Sequence, residues 1–578
     1  MKKIILFFLT DLLISILFIS CSNSANSSTA INVTEDSCEE INSSYAQTIL
    51  ADQEYDLSAF SGKRAFLIVS NNSDSEATIT ESRSSNISNV NGNYSSISDA
   101  EGNQILQSNI NENQVFHIPY QAPKLNIPVS INSQNRNAIN RSLNASNSLV
   151  TYNLGDSKDF YSTTSDDVVT TEYASGAVLK VIGEHCYVWY KAKDGIELED
   201  SEFQSLADTF DSIYEKETYI FGKSYYEECN LDKVIDITSE EKIHLIIYDL
   251  YDDYQTSQDS GTLGFFLPKD FLRNGSWDGV TISGSNQIPC LHLDSYFLWY
   301  SPQALYSIVT HEFQHLIHFV NKSIKYCVQN GGDLRQTADW FNEMMSMVCE
   351  DIMQTQLDPN NTYGDIYSPK SRIYQFNPAY TIGFRSWINS GEQNSDTYSY
   401  YANAYVFGAY LLRNFGIDFI KEVAQNNYRD EEAITQALVS TEASLTSFNA
   451  ALDEFYNVIL HPEGGDYTLN KSVSKSYTIS GSPVSFTCSA INLRNYLTFD
   501  GSIMSSSLAN LYYGAVRRNP YYGPLILNKL YYDRIIPYGF FISYWGRVGE
   551  ESLPVNYSLS SKINSNSNML SYKLVFMD

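Results

Sequence analysis

Positive charge is what this chain lacks most: 37 Lys and Arg stand against 67 Asp and Glu, for a formal net charge of −30 over 578 residues. A polyanion repels phosphate backbones and anionic headgroups, so charge offers no route to nucleic acid or to a lipid surface. Histidine is scarce, 8 in all, and any cluster of histidines therefore carries information. Cysteine is equally scarce, and its 8 positions include no C-x-x-C pair, which argues against a zinc site built from thiolates. After Cys21 there remain Cys38, Cys186, Cys229, Cys290, Cys327, Cys349 and Cys488, an odd set whose pairing the sequence does not fix. One long apolar run opens the chain, Ile4 to Ile19 behind Lys2 and Lys3, broken by Thr10, Asp11 and Ser15. At about sixteen residues with a charge inside, it is short for a bilayer crossing and reads as an export signal.

What is present centres on Tyr306 to Val320, YSIVTHEFQHLIHFV, in which His311, Glu312, Phe313, Gln314 and His315 spell H-E-x-x-H. An α-helix turns once in about 3.6 residues, so side chains four apart share a face and both imidazoles can meet one metal ion. Glu312 then stands to one side, placed to take a proton from a metal-bound water. A random chain of this composition would contain the motif on the order of 0.01 times, so chance is a weak rival. Ser301 suits an N-cap and Pro302 a first helical position, and Leu305, Ile308, Val309, Phe313, Leu316 and Ile317 recur at helical spacing.

Zinc needs a third protein ligand, with the fourth position left to water. The extended H-E-x-x-H-x-x-G-x-x-H pattern would require glycine at 318 and histidine at 321, where this chain has His318 and Asn321. Seven helical residues span about 10.5 Å, too far for His318 to share an ion with His311. Glu343 is the remaining candidate, in TADWFNEMMSMVCED from Thr337 to Asp351. Thr337 offers a cap, while Trp340, Phe341, Met344, Met347, Val348 and Met353 form an apolar face beside which Glu343 falls. A reversal through Asn330, Gly331 and Gly332 would bring this second, antiparallel helix back to the metal.

HEFQH followed by WFNEMMS, with its N-E-x-x-S core, resembles the gluzincin metallopeptidases, and the longer context resembles the hyicolysin-type family. Supporting stretches are CLHLD (Cys290 to Asp294) and YYANAYVFGAYLLRNFG (Tyr400 to Gly416). The likeness covers roughly residues 150 to 460. It implies a Zn2+ cofactor held by His311, His315 and Glu343, with Glu312 as general base. In thermolysin-like relatives an Asp four residues after the ligand Glu orients the first His. Here that position is Met347, with Ser346 and Glu350 as the neighbouring substitutes.

The export signal with Cys21 resembles that of a bacterial lipoprotein, acylated at Cys21, with a plain secretory signal as the alternative. The expected organisation is a signal over residues 1–20, a lipidated flexible tether over 21–49, and a β-rich N-terminal domain over 50–149 with a disordered part at Ser82 to Asp99. A zincin-like domain over 150–464 and a C-terminal β domain over 465–578 follow. The fold class is α+β: a mixed sheet, the HExxH helix and a helical lobe, flanked by small β-rich domains. Strands are expected at Ala177 to Ile182, Cys186 to Tyr190, Lys242 to Asp249, Gly261 to Leu267 and Cys290 to Leu293. Helices are expected at Ser201 to Tyr214 and from Tyr400 to a stop at Gly416, with irregular chain over 355–396. Tyr401 and Tyr405 are candidate donors to an oxyanion.

The function expected is therefore hydrolysis of peptide bonds by a monomeric, extracytoplasmic zinc peptidase at the bacterial surface, on the outer membrane or secreted. Its substrate is peptide or protein, it takes no nucleic acid, and it meets the membrane only through the lipid anchor. The competing reading is a surface lipoprotein whose vestigial zincin domain binds protein or glycan without cleavage, motivated by Met347.

Overall fold

The computed structural model describes residues 39–40, 46–49, 54–81, 116–117, 125–130, 151–161, 173–254, 260–277, 280–364, 368–385, 396–460, 465–496, 523–524, 534–551, 553–558, 563–565 and 570–577. Cys21 and the export signal, the stretch Ser82 to Asp99 and the run 525–532 lie outside the described residues. Two strands near the start, β1 (Ala46–Ile49) and β2 (Arg64–Asn71), are completed by partners from the far end of the chain, taken up below.

The central sheet has six strands: β3 (Ser157–Tyr161), β4 (Tyr173–Ile182), β5 (Cys186–Tyr190), β6 (Ile243–Tyr248), β7 (Gly264–Phe265) and β8 (Cys290–Asp294). They lie in the order β7-β8-β6-β5-β4-β3. β5, β6 and β8 run parallel, while β7 at one edge and β4 and β3 at the other are antiparallel to their neighbours. IHLIIY in β6 is buried at every position, as a strand covered on both faces requires. The β5-to-β6 crossover contains α1 (Asp200–Phe221), whose start is fixed by a capping box between Glu199 and Glu202. GTLGFFL is a strand only at Ser260–Gly261 and at β7, because the chain turns between them to pair first with Phe116–His117 and then with β8.

Three long helices pack beside this sheet. α2 (Pro302–His318) starts after Ser301, whose side chain makes no capping bond, with Pro302 in the first turn. α3 (Asp339–Leu357) is preceded by Ala338 rather than capped by Thr337. The Thr337 hydroxyl is taken by His318 Nε2 at 2.9 Å. α4 (Asp396–Gln425) is two helical segments that meet at Gly416, whose φ of 88° and ψ of 178° break the helix at the expected stop. The connection 355–396 is partly ordered, since α3 reaches Leu357 and the helical segments Pro369–Arg372 and Ile373–Ala379 follow. α3 packs against both α2 and α4, and α1 packs against all three. Inside this lobe the fully buried Arg413 Nη1 bonds Asp351 Oδ2 at 2.7 Å, so the charge of each is met by the other.

After the helices comes a hairpin of β9 (Val473–Ile479) and β10 (Ser482–Cys488), packed on α3. The last strands, β11 (Phe540–Arg547) and β12 (Leu570–Met577), join the first two in a sheet ordered β1-β12-β2-β11. Ala65 to Val69 at its centre are buried, so residues from both ends of the sequence share one core. Cys186, Cys229, Cys290, Cys327, Cys349 and Cys488 are all buried free thiols. The architecture is mixed α+β, as expected.

Candidate metal centre

α2 continues beyond His318 through a π-helical turn, Phe319–Lys325, to Asn330, and the chain then reverses at Gly331 and Gly332. Their φ angles of 76° and 90° are in the left-handed region that glycine enters without strain. The return along α3 is antiparallel. Ser307 meets Glu350, His311 meets Glu350 and Glu343, and His315 meets Asn342 and Glu343, so positions climb on one helix as they fall on the other.

This register brings three donor atoms together. His311 Nε2 lies 3.1 Å from Glu343 Oε2, and His315 Nε2 lies 3.4 Å from the same oxygen. All three side chains are buried, and the two imidazole centroids are 4.6 Å apart. Each ring is held by its other nitrogen. His311 Nδ1 is 2.7 Å from Glu350 Oε1, while His315 Nδ1 is 3.0 Å from Ser346 Oγ and 3.1 Å from Asn342 Oδ1. A bond at Nδ1 fixes the ring and leaves Nε2 for the shared point. Glu350 is itself anchored by Ser307 Oγ at 2.9 Å. Both substitutes considered for the missing orienting acid are thus used, Glu350 by one ring and Ser346 by the other. Met347 is core.

Electrostatics favour positive charge at this point. Burial pulls the His311 pKa down, but hydrogen bonds to Glu343 and Glu350 outweigh it and lift the group to about 10. Glu343 is shifted the opposite way: burial opposes ionisation, yet the two imidazoles hold its carboxyl well below the usual range. A divalent cation answers the same carboxylates as a proton does, and two imidazole nitrogens with one carboxylate oxygen are a donor set that suits zinc.

Glu312 sits beside these atoms, its ligand atom within 4.8 Å of those of both histidines. The backbone N–H of Phe266, directly after β7, donates to Glu312 Oε2 at 2.8 Å. Burial raises the Glu312 pKa, with His315 and His311 pulling the other way. The two tyrosines separate. Tyr401 is buried beside Glu343, with the Arg372 guanidinium 5.2 Å from its ring centre. Tyr405 donates instead to Asp351 Oδ2 at 3.1 Å and belongs to the Arg413 ion pair. His318 faces Thr337 and is no part of the cluster.

Two contributors escaped the sequence reading. A backbone donor such as that of Phe266 leaves no trace in residue type. Glu217 did leave one: it recurs with Phe210, Ile213 and Ile220 on the buried face of α1. There burial pushes its pKa well up, and it rests against Cys349 and Thr310, behind His311.

Two imidazoles and a carboxylate closing on one point, with a second carboxylate alongside, are the groups of a metal-dependent hydrolase. Comparison with known proteins gives the kind. Residues 192–460 match the family described as Peptidase M30. The chain is also 24% identical over 361 residues to the neutral metalloprotease ShpI of Staphylococcus hyicus, covering 61% of this chain and 73% of that protein. The chain carries a Peptidase M30 domain over residues 192–460 and is a zinc metallopeptidase similar to those of the hyicolysin type. A metal cofactor and a peptide or protein substrate go with that activity.

Proposed function

We propose that the chain cleaves peptide bonds with a water activated on a zinc ion held by His311, His315 and Glu343, and that Glu312 is the general base. The observation that carries this reading is the approach of both Nε2 atoms to Glu343 Oε2 with Glu312 beside them. A zinc ion held by His311, His315 and Glu343 would supply Lewis acidity and bring the pKa of a bound water towards about 7. Glu312 takes the proton of that water and later gives it to the departing amine; its buried, raised pKa suits it to both tasks. Tyr401 donates its phenolic hydrogen to the oxygen on which negative charge develops. Glu350 and Ser346 keep the imidazoles aimed through their Nδ1 atoms. The zincin-like arrangement places β7 as the edge strand next to Glu312, and an extended substrate would add along it as a further strand.

A non-catalytic reading is motivated by Met347 where an orienting acid was expected and by the acidic, Asn/Ser-rich flanks; the Glu350 bond to His311 supplies such an acid and supports catalysis instead. The lipid anchor at Cys21, a surface or outer-membrane location and a monomeric state belong to the same proposal, as do domain limits near residues 150 and 464. Among the described residues no helix is long and apolar enough to cross a membrane.

Glu312→Gln tests the proposal. The variant is expected to keep its metal by elemental analysis and to lose about 10²–10⁴ in kcat on a casein or fluorogenic peptide substrate. His311→Ala and Glu343→Ala are expected to lose metal. Undiminished cleavage by Glu312→Gln would refute the assigned role.

A further inference from the structure

On the other face of the central sheet, a second cluster of donors plays no part in this mechanism. β8 alternates: Leu291 and Leu293 pack with Leu305 and Ile308 of α2, whereas Cys290 belongs to the opposite core with Phe160, Trp189 and Ile246. Residues two apart on a strand share a face, so Cys290 and His292 project together. Asp270, from the short helical segment Pro268–Phe271, meets them there. Cys290 Sγ is 3.1 Å from Asp270 Oδ2, His292 Nε2 is 3.0 Å from the same oxygen, and Sγ and Nε2 are 3.9 Å apart. A circle through three points so spaced has a radius of about 2 Å, the length of a bond from zinc to nitrogen or oxygen and slightly short of one to sulfur.

The cluster is enclosed by the core. Asp270, Cys290 and His292 are all fully buried. Tyr248 OH lies 3.1 Å from His292 Nδ1, and Phe265 stacks on the imidazole at 4.6 Å, which fixes the ring with Nε2 turned to the other two donors. The Asn286 N–H donates to Asp270 Oδ1 at 2.8 Å and fixes the carboxylate. A carboxylate wholly removed from water is costly unless it is paired or bound to metal. The bonds described to Asp270 come from a backbone N–H, a thiol and an imidazole.

The geometry points to a second, structural zinc site formed by Asp270, Cys290 and His292. Binding displaces the thiol proton, so the sulfur enters as thiolate and one proton leaves to solvent as the chain folds around the ion. The site fastens β8 to the segment that carries the edge strand: Phe265 covers His292, and the next residue, Phe266, bonds Glu312. Zinc here is a clamp beneath the cleft and takes no part in the chemistry.

Metal counting and cobalt spectroscopy on the full-length protein test this. Elemental analysis is expected to find two ions per chain in the wild type, and one in both His311→Ala/His315→Ala and Cys290→Ser. In protein produced with Co2+, a near-ultraviolet thiolate-to-cobalt band is expected, and it should survive the double His substitution because the other centre has no sulfur. The wild-type spectrum requires no variant to fold. One ion per chain in the wild type, or a cobalt-loaded wild type without the thiolate band, overturns the second site and leaves a hydrogen-bonded Asp-Cys-His cluster. Loss of proteolysis in Glu312→Gln bears only on the first centre, so the two proposals fail separately.

Discussion

Glu350 is the residue on which the orientation of the His311 ring depends. It joins Ser307 to His311 through its two oxygens, at 2.9 and 2.7 Å. Glu350→Gln keeps the shape but weakens the pull on His311 Nδ1, and metal affinity is expected to fall about 10–100-fold, read by competition with a chromophoric chelator. The two tyrosines make a paired experiment. Tyr401→Phe removes a donor at the site and should cost about 10²–10³ in kcat with little change in KM. Tyr405→Phe should leave kcat alone and lower stability by about 1 kcal/mol, since its hydroxyl donates to Asp351 in the Arg413 ion pair. Equal kinetic losses in both variants would remove Tyr401 from the mechanism.

At the scale of elements, the site is an inter-helix register. α4 approaches α3 closely at Gly408, where an added Cβ would stand 2.6 Å from Val348 Cγ2 and 2.7 Å from Met344 Cγ. Met344 adjoins Glu343, and Tyr401 lies on the same helix as Gly408. Gly408→Ala must therefore push the helices apart, at a cost of about 1–3 kcal/mol. The expected result is a lower Tm together with weaker metal retention. Thermal melts with and without chelator would show both, and an unchanged Tm would mean that the helices can yield. The helix of the first two ligands was legible because two histidines four apart carry their own geometry. Glu343 was legible as an acid beside an apolar face. Glu350 was only one of two candidates: whether residue 346, 347 or 350 reaches His311 depends on how far α3 slides along α2, which no local pattern records.

For the molecule as a whole, acid stability rests on the core behind the sheet. Trp189 Nε1 donates to His244 Nδ1 at 2.9 Å, which requires a neutral ring, with Tyr152 and Tyr187 edge-on or tilted against it. Burial, assisted by the charge of Lys158, holds the His244 pKa down to about 3. The unfolded chain binds this proton near pH 6.5 and the folded chain only near 3. The contribution is therefore complete above about 6.5 and is lost as pH falls towards 3. His244→Asn, which cannot titrate, should flatten the fall in urea midpoint across that window; an unchanged slope would place the acid sensitivity elsewhere.

The sequence alone determined what could be written within one helix or strand: the HExxH face, the period-two and period-3.6 runs and the excess of negative charge. The absence of C-x-x-C argued against a thiolate zinc site, and the grouping of Asp270 with Cys290 and His292 arises only because the chain turns back across the sheet edge. Tertiary structure alone decided which side chains share a point in space, such as the Nδ1 partners of the two histidines and the backbone donor to Glu312. It also paired strands from both ends of the chain in one sheet. The physical reason is range: helical and strand periodicity act over a few residues, whereas contacts between distant segments follow from the packing of whole elements.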